Sequence, residues 1–151
     1  MGLSVWTERR ELLLRFQKEL LDKFPEEDYN VFVFGSFVRS DFREGQSDID
    51  MIVYCNDTKK QYAIHEFCEN FFEEQGLSSD VLNYYYIPDA YVYAVGILNS
   101  IKLTDFYPQR LKDELYLIAR NYGFHRREQE VQRRYLNWDY LIGRKRAMER
   151  R

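Results

Sequence analysis

Apolar residues recur along the chain in two rhythms, and each predicts a different kind of element. Leu12, Leu13, Phe16, Leu20, Leu21 and Phe24 fall three and four apart with charged residues between them, the stripe of an amphipathic helix. Thr7 is the expected N-cap of that helix and Pro25 its expected stop. Val31-Phe32-Val33-Phe34 is a short β-branched and aromatic run closed by Gly35, which predicts a buried strand. After a Gly35-Ser36 turn, Phe37 to Asp41 suits a short helix, and Arg43 to Ser47 is polar loop. Ile49 to Tyr54 is apolar on both faces and predicts a second, central strand.

Helical spacing returns from Thr58 to Gln75, where Tyr62, Ile64, His65, Phe67, Cys68, Phe71 and Phe72 make most of one face. Thr58 is the expected cap, and Gly76 stands where a C-terminal glycine belongs. Asp80 to Ile87 reads as a third, tyrosine-rich strand stopped by Pro88, and residues 90–100 fit either helix or strand. Pro108 opens a further helix with Leu111, Leu115, Leu117, Ile118 and Tyr122 on one face up to Gly123. Arg126 to Arg151 predicts a charged helix carrying Val131, Tyr135, Trp138, Leu141 and Ile142. The order predicts an α/β (α+β) fold, a small mixed sheet flanked by helices. Residues 1–104 would form the core and residues 105–151 a helical C-terminal extension on the same domain.

Composition narrows the class. The 151 residues are 45% hydrophobic and 31% charged, a globular mixture long enough to bury a core. No apolar run approaches the roughly 20 residues of a spanning helix, and the N-terminus lacks the order of a signal peptide, so a cytoplasmic location is expected. Cys55 and Cys68 lack the spacing of a zinc box or a disulfide framework. The net charge of −3 hides an asymmetry, because residues 121–151 carry nine Lys or Arg against four Asp or Glu. An acidic body with a basic tail is not the pattern of a general nucleic-acid binder.

The informative stretch is strand, Gly-Ser turn, polar loop, Ser47-Asp48-Ile49-Asp50, strand. Gly35 lets the backbone approach a ligand at the end of the first strand, and Ser36 adds a hydroxyl and an N–H suited to phosphate oxygens. Asp48 and Asp50 are two apart on extended chain, so their carboxylates project from one face. They repel each other unless a cation lies between them, and a hard, oxygen-seeking ion such as Mg2+ suits that place. Asp80, at the start of the third strand, is the best third carboxylate, and Asp89 its rival. Three such groups can hold two ions about 3.5–4 Å apart for displacement at phosphorus. That points to phosphoryl or nucleotidyl transfer.

Val33-Phe34-Gly35-Ser36-Phe37-Val38-Arg39, followed by Ser47-Asp48-Ile49-Asp50-Met51-Ile52-Val53, resembles the signature of the polymerase-beta-like nucleotidyltransferase superfamily. The likeness is nearest to its minimal bacterial members. Ser40 stands where many of those carry glycine. The resemblance implies that Gly35 and Ser36 bind a nucleoside triphosphate, ATP above all, with Arg39 on a phosphate. It implies that Asp48, Asp50 and Asp80 bind magnesium and are catalytic. An AMP group would pass to a hydroxyl of a protein, RNA or small molecule. One setting is an antitoxin that modifies a HEPN-type toxin partner. Two other readings stand beside it: a non-catalytic binding or inhibitory protein on the same fold, and a truncated HEPN-type ribonuclease. The last rests on Arg120 and His125, which have the Arg-x4-His form, but too little chain surrounds them for a HEPN bundle.

Overall fold

The structure is a computed structural model that describes Leu3, residues 5–84 and residues 96–122. Its element order is α1 (Trp6–Lys23), β1 (Tyr29–Phe34), a 3-10 turn (Gly35–Val38), β2 (Ile49–Cys55), α2 (Thr58–Glu74), β3 (Ser79–Asn83), β4 (Ile101–Lys102) and α3 (Gln109–Tyr122). The helix expected over 126–151 lies outside the described residues, as do Asp89, His125, Tyr85 and Tyr86. No helix among the described residues is long and apolar enough to cross a membrane.

The four strands form one sheet in the order β3-β2-β1-β4. β1 runs antiparallel to both β2 and β4, and β2 runs parallel to β3. A parallel neighbour needs a crossover, and α2 is that crossover. The expected mixed sheet, with the third strand beside the second, is therefore present. Side chains alternate across it. Val31, Val33, Met51 and Val53 pack with Leu13, Phe16, Leu20, Ile64, Phe71 and Phe72 on the side of α1 and α2. Phe32, Ile52 and Tyr54 pack with Tyr84, Ile97, Leu111 and Leu115 on the side of α3. Both faces are covered, which is why β1 and β2 read as continuous apolar runs.

Helix ends and short elements differ from the expectations in instructive ways. α1 starts at Trp6 with Val5 at the N-cap and no side-chain cap bond, so Thr7 sits inside the first turn. The buried stripe of Leu13, Phe16 and Leu20 holds this helix without a cap. α2 is capped by Asp57, whose carboxylate accepts from Lys60 N at 3.0 Å, and Thr58 is the first helical residue. Its other end is as expected. Gly76 has φ +73, and the bonds Gly76 N–Glu73 O and Leu77 N–Phe72 O, both 2.9 Å, close a Schellman turn. The expected helix over 37–41 is instead the 3-10 turn at 35–38, with Arg39 already extended. On α3, Leu111 and Leu115 are buried, but Leu117 is 56% exposed and does not share their face.

β4 begins just after residues 90–100, the stretch that fitted either helix or strand. It is two residues long, pairing Ile101 with Val33 and Lys102 with Phe32. Its neighbours are anchored by one buried side chain. Asn30 Oδ1 accepts from Val31 N, Leu103 N and Thr104 N, while Nδ2 donates to the carbonyls of Thr104 and Phe106. Thr104 Oγ1 donates to Tyr29 O at 2.6 Å. A fully buried amide with this many partners fixes the chain that follows β4 across the end of β1.

Candidate active site

The ends of three neighbouring strands bring the sequence-derived residues together. β1 finishes at Phe34, whose register partner on β2 is Asp50. On the other side of β2, Asp50 is in register with Asp80 of β3. In-register neighbours of a parallel pair lie about 4.8 Å apart and project to one face. Period-2 alternation puts Asp50 on the face of Ile52, and Asp80 on that of Leu82. Asp48 stands one residue before β2.

Burial separates the three carboxylates. Asp48 and Asp80 are exposed and Asp50 is partly buried. Burial, then the charge of Asp80, then that of Asp48 push the Asp50 carboxyl up from 3.8 to about 6, and the Arg39 guanidinium works against the rise. The three acids thus share one electrostatic site centred on Asp50. Among the described residues, no group of three or more His, Cys, Asp or Glu side chains is arranged so that it could hold a metal ion as it stands. The donor chemistry is nonetheless of the kind a hard cation takes: three carboxylate groups, with the charged form of Asp50 disfavoured by burial and by the other two.

The 3-10 turn completes the site from the end of β1. Gly35 has φ +77, and a Cβ placed there would lie 3.2 Å from Asp50 Cγ and closer still to its Oδ2. Only glycine fits between the turn and this carboxylate without displacement. Arg39, four residues after Gly35, makes a bidentate pair with Asp41, Nε–Oδ1 at 3.0 Å and Nη2–Oδ2 at 3.1 Å. That pair holds the Asp41 carboxyl below its usual range. Arg39 therefore has a carboxylate partner at the border of the site, where the sequence-based expectation put a phosphate.

A family model described as a nucleotidyltransferase domain matches residues 13–103. This chain belongs to the nucleotidyltransferase domain family. The match runs from the apolar stripe of α1 through β4 and takes in every element that positions the acids. No curated protein matches the chain.

Four residues ahead of the matched segment stands the residue that the sequence reading passed over, Arg9. It is 1% exposed. Its Nη1 donates to Arg39 O at 2.7 Å and Phe37 O at 3.0 Å, with a longer contact to Ser36 O at 3.5 Å. The guanidinium lies 4.1 Å from the Trp6 ring centroid and 5.4 Å from that of Phe42. Burial lowers its pKa, and the charge of Asp41 opposes that. A signal for it existed. Arg9 stands four residues before Leu13 and so lies on the buried stripe of α1, where a charge is out of place.

Proposed function

We propose that this nucleotidyltransferase domain transfers a nucleoside monophosphate, AMP from ATP, to a hydroxyl of a protein, RNA or small-molecule acceptor, with release of pyrophosphate. One observation carries the reading: Asp50 lies in register beside Asp80 on one side and against the glycine of a Gly-Ser turn on the other. A cluster of acids next to a turn that can offer a hydroxyl and backbone N–H groups to phosphate oxygens is what such a transfer requires.

In this reading the Gly35–Ser36 turn receives the triphosphate, Asp48 and Asp50 hold magnesium, and Asp80 completes the ligand set. Magnesium, when bound, would offset the three negative charges and draw charge from the phosphate oxygens. Asp80, exposed at the outer strand, is open to the acceptor and helps withdraw the hydroxyl proton. The new bond forms between the acceptor oxygen and the α-phosphorus. The bond from that phosphorus to the pyrophosphate oxygen breaks, and the proton of the hydroxyl passes to solvent. Arg39 would exchange Asp41 for a phosphate oxygen as the triphosphate enters. A HEPN-type toxin is the protein acceptor we favour.

The test is incubation with each α-labelled triphosphate and magnesium, alone and with a co-expressed candidate toxin. Label transferred to the partner, and lost in Asp48→Asn, supports the reading. Tight partner binding with no transfer from any triphosphate would replace it with the non-catalytic inhibitor.

A further inference from the structure

Arg9 is a buried cation with no carboxylate within salt-bridge distance among the described residues. Its Nε is buried without a hydrogen-bond partner. Burying a charge on these terms is unfavourable, and an apolar side chain among Trp6 and Phe42 would ordinarily pack better. The unfavourable arrangement occurs at one place. Nη1 gathers the carbonyls at the C-terminal end of the 3-10 turn and of the residue that follows it. Cations bind such carbonyl ends well. Arg39 N also donates to Ser36 O, so the turn closes on itself and is fastened from below.

We propose that Arg9 is a positioning residue for nucleotide binding, resting on the nucleotidyl-transfer reading of the site. It clamps the carbonyls of Phe37 and Arg39, and this fixes both functional ends of the loop. At one end Gly35 stays against Asp50, with Ser36 beside it. At the other, the backbone of Arg39 is fixed, so its guanidinium stays at the border of the acid site. α1 thereby acts on the site through a single side chain, without touching the triphosphate. Loss of the clamp leaves the sheet and its two cores intact, but frees the turn to shift away from the geometry that receives phosphate.

The test compares wild type, Arg9→Met and Arg9→Lys in the full chain. Lysine keeps a charge and three donors on a stem one bond shorter, and it lacks the Nε that finds no partner. Binding of the four common triphosphates with magnesium is measured by calorimetry well below the melting temperature. Hydrogen exchange is followed in parallel at residues 35–40 and in β1 and β2. Arg9→Met should weaken triphosphate binding at least about tenfold, the factor one charge-assisted contact carries. Faster exchange should be confined to the turn, and Arg9→Lys should recover most of the affinity. Should Arg9→Met fail to fold, Arg9→Gln, neutral and too short to reach the carbonyls, takes its place with the same expectation.

Unchanged affinity in the neutral variant overturns the proposal while leaving the nucleotidyl-transfer reading intact. So does weakened binding accompanied by loss of protection throughout the sheet, which would make Arg9 a stability residue only. A wild type that binds none of the triphosphates removes both readings together.

Discussion

Asp50→Asn should make the ligand-free protein more stable and inactive at once. The Asp50 carboxyl is raised from 3.8 to about 6 in the fold. Its charged form is thus disfavoured there relative to the unfolded chain. For a raised carboxyl, the folded state binds the proton more tightly. Its contribution is favourable below about pH 4 and is lost as pH climbs through about 6. About two units at 1.36 kcal/mol each set a ceiling near 3 kcal/mol. Solvent around exposed Asp48 and Asp80 screens part of this, and asparagine still bears the cost of burial. A gain of about 1–2 kcal/mol above pH 7 is the expected outcome, or about 2–8 °C in a chain of this size. Urea melts of both proteins at pH 4, 5, 6, 7 and 8, without metal, measure it. The difference should be near zero at pH 4 and level off by about pH 7. A destabilised variant, or a difference independent of pH, would refute the account of Asp50 as the strained centre of the acid site.

Other perturbations probe separate parts of the same structure. Gly35→Ala puts a methyl group onto Asp50 at a φ of +77. It should lower stability by about 1–3 kcal/mol and weaken triphosphate binding, both read by melts with and without nucleotide. Asp80→Asn should leave triphosphate affinity within a few-fold of wild type while transfer falls about a hundredfold or more; unchanged turnover would move the third carboxylate elsewhere, with Asp89 next to be tested. Asn30→Ala removes the partner of two amides and two carbonyls around β4. It should lower stability by about 2–4 kcal/mol, with hydrogen exchange quickening first at residues 101–106.

How much the sequence determined by itself follows from how far each signal reaches along the chain. The stripe at Leu13, Phe16 and Leu20, the apolar runs of β1 and β2, and Gly76 are local signals, because a period or a positive φ is set by a few neighbours. They placed the helices and strands within a few residues. The spacing of Gly35, Ser36, Asp48 and Asp50 was legible for the same reason, as one turn, one strand and the residue just before that strand carry all four. Cap choice was less so: Asp57 and Thr58 are both capping residues, and only the backbone path decides which one stands outside the first turn. The two-residue β4 has too few positions for a period. It exists because Asn30, some seventy residues earlier, bonds the chain beside it. The meeting of Asp50 with Asp80 depends on the parallel register of β2 and β3, which the crossover by α2 sets. Arg9 is the extreme case. On its own helix it is a charge on an apolar stripe, and its partners are carbonyls about thirty residues away. Backbone carbonyls leave no mark in the sequence, so only the tertiary structure could pair them with a buried guanidinium.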